Sequence, residues 1–264
     1  MLYRLDTLDE NSINPITGKG YDGSWIILIL TDSEDYQYMC GSSNGCAYTI
    51  KVSRSKIPDW KMAVGDFMGF SEANGKNAIL VIAEEDLKSV KSHYSAHKYN
   101  ECFLRDNEPS VLVHSTPIAS WELIKKDGML KSWNMLKAQK AIEEEKPIGI
   151  QLGDPADFSD YIMFGGGITG EIVVSSKQQG MIAMDENAEY FTGARLYFDA
   201  KRLAEAGLLI RDGCHLKVRD TLPLEPYLIW TATWDNIGLS SPVSTPRIFA
   251  GEADKRFQAL FNDI

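Results

Sequence analysis

The sequence has no apolar run long enough to cross a membrane as a helix. Its first residues, Met1-Leu2-Tyr3-Arg4-Leu5-Asp6, have no signal-peptide core. A cytoplasmic protein with no membrane partner is the expectation. Positive charge is also scarce: 27 basic residues face 37 acidic ones, for a net charge of −10. Such a chain has no global attraction for nucleic acid, so contact with RNA or DNA would need a local basic patch. None of the four cysteines stands in Cys-x-x-Cys spacing. Cys40 and Cys46 bracket Gly41-Ser42-Ser43-Asn44-Gly45, a spacing compatible with a disulfide or a metal, but reduced structural thiols are the expectation in the cytosol. Gly165-Gly166-Gly167 lacks the Lys-Ser/Thr of a phosphate-binding P-loop. His93 and His97 stand four apart without the intervening glutamate of a metalloprotease, and Ser115 lacks nucleophile-elbow glycines. No metal site is expected, and repeats and low-complexity tracts are missing as well.

What is present is an ordinary globular composition, 44% hydrophobic and 24% charged. Trp25-Ile26-Ile27-Leu28-Ile29-Leu30 reads as a buried strand. Residues 36–40 and 46–52 read as a hairpin around the Gly-Ser-Ser-Asn-Gly turn, residues 77–83 as a further strand and residues 84–98 as a helix. Residues 99–110 are polar and turn-rich, which sets the expected boundary. A small α+β domain over 1–108 would precede a second domain over 109–264. In that second domain, strands are expected at 111–113, 148–152, 171–175, 195–198, 214–218 and 228–230. Helices are expected at 118–127 and 131–145, with a short one from Asp154 through Tyr161 and Phe164. Short strands outnumber helices, so the fold class is α+β.

One stretch is more specific. Val111-Leu112-Val113 are β-formers, and Pro117 ends the ladder after His114-Ser115-Thr116. Thr116 is placed to cap a helix with Pro117 at its first position. Ile118, Trp121, Leu123 and Ile124 give that helix an apolar face, and Gly128 follows Lys125 and Lys126 as a left-handed stop. His114 therefore sits at the end of a strand beside a helix N-terminus, a common position for ligands.

Further on come Ile150-Gln151-Leu152-Gly153-Asp154-Pro155-Ala156-Asp157, then Arg195-Leu196-Tyr197-Phe198-Asp199-Ala200, then Cys214-His215-Leu216-Lys217-Val218-Arg219-Asp220-Thr221-Leu222-Pro223. In this order the segments resemble the ADP-ribosyltransferase fold, nearest the tRNA 2′-phosphotransferase and nucleic-acid-modifying toxin branches. The resemblance covers most of residues 111–230. It implies a split antiparallel sheet and NAD as substrate. It makes His114, Ser115, Thr116, Tyr161 and Arg195 NAD-binding residues: His114 on a ribose, Thr116 near the nicotinamide, Tyr161 stacking on a ring and Arg195 pairing with phosphate.

The chain departs from the family where a glutamate polarises the nicotinamide ribose. His215 is the residue expected there, as the catalytic group. The implied activity is ADP-ribosyl transfer to a macromolecular acceptor, with DNA and RNA among the candidates. The missing glutamate keeps open a non-catalytic NAD- or nucleotide-binding regulator on the same fold. The basic residues Arg211 and Arg219 near His215 keep open an RNA 2′-phosphotransferase-like enzyme.

Overall fold

The computed structural model describes residues 1–9, 11–42, 45–95, 97–143 and 146–261. Its elements in chain order begin with β1 (Leu2–Leu5), β2 (Trp25–Thr31), β3 (Tyr38–Gly41), β4 (Tyr48–Ser53), α1 (Trp60–Ala73), β5 (Asn77–Val81) and α2 (Glu84–Tyr94). They continue with β6 (Val111–Thr116), α3 (Ile118–Asp127), β7 (Met129–Lys131), α4 (Trp133–Ala138), β8 (Tyr161–Met163), α5 (Thr169–Gln179), β9 (Tyr190–Phe191) and β10 (Ala194–Asp199). The last are α6 (Ala200–Glu205), β11 (Ile210–Arg211), β12 (Leu216–Arg219), β13 (Thr221–Pro223), β14 (Leu228–Ala232), β15 (Val243–Ser244) and α7 (Pro246–Leu260). Helices and sheets are mixed, as the α+β class requires. Among the described residues no helix is long and apolar enough to cross a membrane.

Contacts divide the chain into two units. The first holds residues 1–101 together with 152–158 and 210–216, and the second holds 102–151, 159–209 and 217–264. The sequence reading placed one cut at 108/109. Two later segments instead return to the first unit.

In the first unit five strands run in the order β1-β5-β2-β4-β3. β1, β5, β2 and β4 are mutually parallel, and β3 closes the edge antiparallel to β4. The run Trp25–Leu28 is buried because β2 lies between two neighbours in a parallel sheet, which is usually covered on both faces. The expected strands at 25–30 and 77–83 and the hairpin pairing of β3 with β4 are present. Ser43 and Asn44 of the connecting turn lie outside the described residues. Helix α1 escaped the sequence reading because it is apolar around much of its surface, with Met62, Ala63, Val64, Phe67 and Phe70 all buried, so no clean amphipathic stripe marks it.

The strand pairs described below for the second unit are all antiparallel. β14-β10-β6 form one three-stranded sheet. β8 pairs with β12 through residues 217–219, β7 with β13, and β9 with β15. β6 ends at Thr116 as expected. Pro117 rather than Thr116 occupies the cap of α3, and no side chain caps that helix. Gly128 stops α3 with φ 73°, the left-handed conformation that glycine adopts without a steric penalty.

Several local readings are corrected. Residues 171–175 form part of helix α5, not a strand. Residues 171, 172, 174, 175 and 176 are buried, a helical period that overrides the β-branched Ile172-Val173-Val174. Residues 148–152 form a 3-10 turn, and a second one spans Ala156–Asp160 where a helix through Phe164 was expected. The helix expected over 131–145 shrinks to α4. The Ser132 side chain caps it by accepting from the Met135 N–H, and Lys140, at φ 55°, turns the chain away. Glu144 and Glu145 lie outside the described residues. The strand expected from 214 begins at Leu216. Helix α7, unforeseen, starts at Thr245, whose hydroxyl accepts from Ile248 N–H, with Pro246 in the first turn.

Candidate functional site

In the second unit, the register of β6 against β10 sorts the candidate residues by face. Ser115 lies opposite Arg195 and Val113 opposite Tyr197, while His114 lies opposite Leu196. Side chains alternate along a strand. Ser115 and Arg195 therefore share one face, and His114 and Thr116 take the other.

The Ser115–Arg195 face holds a buried polar network. Ser115 donates to Glu171 Oε1 at 2.5 Å, and Tyr190 donates to Oε2 at 2.7 Å. Arg195 reaches Glu171 at 3.6 Å and grips Asp254 with two bonds of 3.0 Å each. Tyr197 also donates to Asp254, at 2.7 Å. Burial raises the Glu171 carboxyl above the ordinary glutamate range, against the pull of Ser115, Tyr190 and Arg195. Beside this network lies a cavity of about 500 Å³, lined in part by Val113, Gly167, Arg195, Tyr197, Asp254 and Phe257. The rings of Tyr197 and Phe257 stack at 4.3 Å.

On the other face, His114 Nδ1 donates to the carbonyl of Met163 at 3.0 Å. A carbonyl only accepts, so the proton sits on Nδ1 and Nε2 carries the lone pair. Burial lowers the ring's pKa to about 4, opposed by the Met163 bond and assisted by nearby Lys177. The ring is thus neutral at physiological pH. The bond joins β6 to β8, which belong to different antiparallel sheets, and the Gly165 N–H donates to the Val113 carbonyl at 2.9 Å across the same gap. Thr116 is buried at the end of β6. Tyr161 is buried in β8; its hydroxyl accepts from Arg219 at 2.6 Å, and Lys217 Nζ sits 4.5 Å from its ring centre. Its ring is already occupied by two cations of the same unit.

His215 groups with the first unit. Its Nδ1 lies 3.1 and 3.2 Å from the two oxygens of Asp212, a fully buried carboxylate. Asp212 Oδ1 also accepts from the backbone N–H groups of Cys214 and His215, at 3.1 and 2.8 Å. The Sγ atoms of Cys40 and Cys214 are 2.9 Å apart. Burial works against a charged His215, but Asp212 and then Cys40 outweigh it and push its pKa up. The bond from Cys214, against burial and with help from His215, pulls the Cys40 thiol down. Burial lifts Asp154 to about 6, against the pull of His215. Phe158 and Tyr48 flank the imidazole at 5.4 and 6.4 Å between ring centres.

No protein-family model, curated protein or solved structure matches the chain. The chemistry must therefore be argued from these residues. Sequence reasoning places His114, Thr116 and His215 in one cleft, with Ser115 and Arg195 among the NAD-binding residues. The structure assigns the two histidines to different units. It also missed Glu171, Asp254, Asp212 and the pairing of Cys40 with Cys214. Only Asp212-Gly213-Cys214-His215 carried a local signal, an Asp-Gly turn three residues before a histidine. His93 lies in the last turn of α2, while His97 lies beyond the helix and meets Glu101 at 2.7 Å.

Proposed function

We propose that the second unit is an ADP-ribosyltransferase-like domain that binds NAD and transfers its ADP-ribosyl group to a macromolecular acceptor, nucleic acid among the candidates. The observation that carries this reading is His114. It stands where β6 parts from β8, between two antiparallel sheets, and its tautomer is fixed by Met163. A neutral imidazole with a lone pair on Nε2 can accept a hydrogen bond from a ribose hydroxyl, the role that the family resemblance implies. The residues fit such a ligand in part. Thr116 lies on the same face as His114 at the strand end, whereas Ser115 and the cavity lie on the opposite face. Arg195 is already matched by Asp254 and Glu171, so a phosphate role for it is not part of the proposal.

The reaction breaks the bond between C1′ and the nicotinamide nitrogen. Nicotinamide leaves with the bonding electrons, and an acceptor oxygen or nitrogen forms the new bond to C1′ and releases its proton. Within the chain, Glu171 acts as a positioning residue that holds Ser115.

A second reading, NAD or nucleotide binding without turnover, is favoured by two observations. Both oxygens of Glu171 are already bonded, and His215 groups with the other unit. The deciding experiment is incubation with NAD labelled in its ADP-ribose part, with separate RNA, DNA and lysate-protein pools. Label on one pool supports transfer. Thermal stabilisation by NAD without label supports the binding reading, and neither result removes both.

A further inference from the structure

The first unit contains a donor set that the NAD reading does not use. Cys40 comes from edge strand β3, while Cys214 and His215 come from the segment after β11, which packs with the same unit. One donor atom from each of the three lies within 4.8 Å of the other two. All are partly shielded from solvent, against the rings of Tyr48 and Phe158. We propose that this cluster is a zinc site, with Cys40, Cys214 and His215 as protein ligands and a water completing a tetrahedron.

The donor chemistry points to zinc rather than to a hard cation. Two thiolates and an imidazole are the ligands of zinc and other borderline-soft metals, whereas calcium and magnesium take oxygen. The sulfurs are already neighbours at 2.9 Å. Zn–S bonds of about 2.3 Å in a tetrahedron place two sulfurs about 3.8 Å apart, so binding asks them to part by less than about 1 Å.

The surroundings of His215 carry the argument further. A metal-bound histidine typically gives its other ring nitrogen to a carboxylate, which fixes the tautomer and aims the ring. Asp212 does this for Nδ1 of His215 and leaves Nε2 as the ligand atom. Asp212 is itself held by the N–H groups of Cys214 and His215, so one buried carboxylate shapes the loop that presents both ligands. Gly213 makes that loop possible. It has φ +98°, and a Cβ there would come within 2.6 Å of the Ala63 carbonyl oxygen. Asp154 lies within electrostatic reach of both His215 and Cys40. A pair of thiols poised only to form a disulfide needs neither the oriented imidazole nor its buried carboxylate.

The test uses the full chain. Metal content is measured after gel filtration of reduced protein loaded with one equivalent of Zn2+, and the absorption spectrum is recorded after loading with Co2+. The expected result is one Zn2+ per chain in the wild type and in a Cys102→Ser control, with loss in Cys40→Ser and Cys214→Ser. Asp212→Asn should weaken zinc binding by about 10- to 100-fold. The Co2+ form should show thiolate-to-metal charge transfer and the strong visible bands of a tetrahedral site. That spectrum belongs to the wild type, so it decides the matter even if the cysteine variants fail to fold. No retained zinc, a Co2+ spectrum without charge transfer, or zinc retained when both cysteines are replaced would each overturn the proposal.

Discussion

The imidazole of His114 donates to the carbonyl of Met163 at 3.0 Å and so ties strand β6 to strand β8 of the same unit. The pair predicts a pH dependence. The ring titrates near 4 in the folded protein, below the ordinary 6.5. Between those values the unfolded chain binds the proton first. Stability is therefore full above about pH 6.5 and falls as the pH drops towards 4, by at most about 1.4 kcal/mol per pH unit. His114→Asn keeps a donor near the Nδ1 position and cannot take up a proton. Urea midpoints at pH 7 and pH 5 should differ less in the variant than in the wild type. Equal differences would show that His114 does not titrate in this window.

Glu171 gives the opposite sign. Its folded pKa is raised by burial, so its contribution is full below the ordinary carboxyl pKa and is lost as the pH rises through the folded value. Glu171→Gln removes the titration. Relative to wild type, the variant should gain stability as the pH rises above the ordinary carboxyl range. A constant difference above that range would assign Glu171 an ordinary ionised state.

Arg195 is 1% exposed and depends on Asp254, whose side chain is 37% exposed. Asp254→Ala leaves the guanidinium, among the described residues, with Glu171 and Tyr197 as its polar neighbours, and the expected cost is about 2–3 kcal/mol, at or below the buried-pair range because water reaches part of Asp254. The double change Arg195→Met with Asp254→Leu should recover most of that loss, because the desolvated charge goes with its partner. Chemical denaturation of the three variants measures both steps.

The NAD reading predicts ligand stabilisation of roughly 2.7 kcal/mol at a hundredfold excess over the dissociation constant. His114→Ala should abolish it. His215→Ala should leave it intact, because His215 belongs to the first unit. Thermal shifts with millimolar NAD test the pair together, and loss in both variants would tie the two histidines to one site after all.

A fragment ending at residue 108 should not fold stably by itself. It lacks Phe158, which meets Tyr48 edge-on at 5.2 Å, and Asp157, which pairs with Lys76 at 2.6 Å. It also lacks the loop that brings Asp212 and Cys214 to the unit. Chemical-shift dispersion in a proton spectrum of residues 1–108 would show whether the later segments are dispensable.

The sequence by itself determined the elements whose signals are local. The apolar run at Trp25–Leu30 could only be a buried strand, and Val111–Thr116 had to end before Pro117. Gly128 had to stop α3 because only a residue at ease with positive φ fits there. The tertiary structure decided what depends on distant partners. Ile172-Val173-Val174 became helix because the surroundings of α5 bury a helical stripe, and no propensity scale contains those surroundings. Cys40 meets Cys214 across 174 residues of sequence, a proximity set by the edge position of β3 and the return of residues 210–216 to the first unit. His215 went to that unit because Asp212, fully buried beside it, holds the ring through a local turn, whereas a strand pattern places a side chain on a face but cannot say which sheet the strand will join.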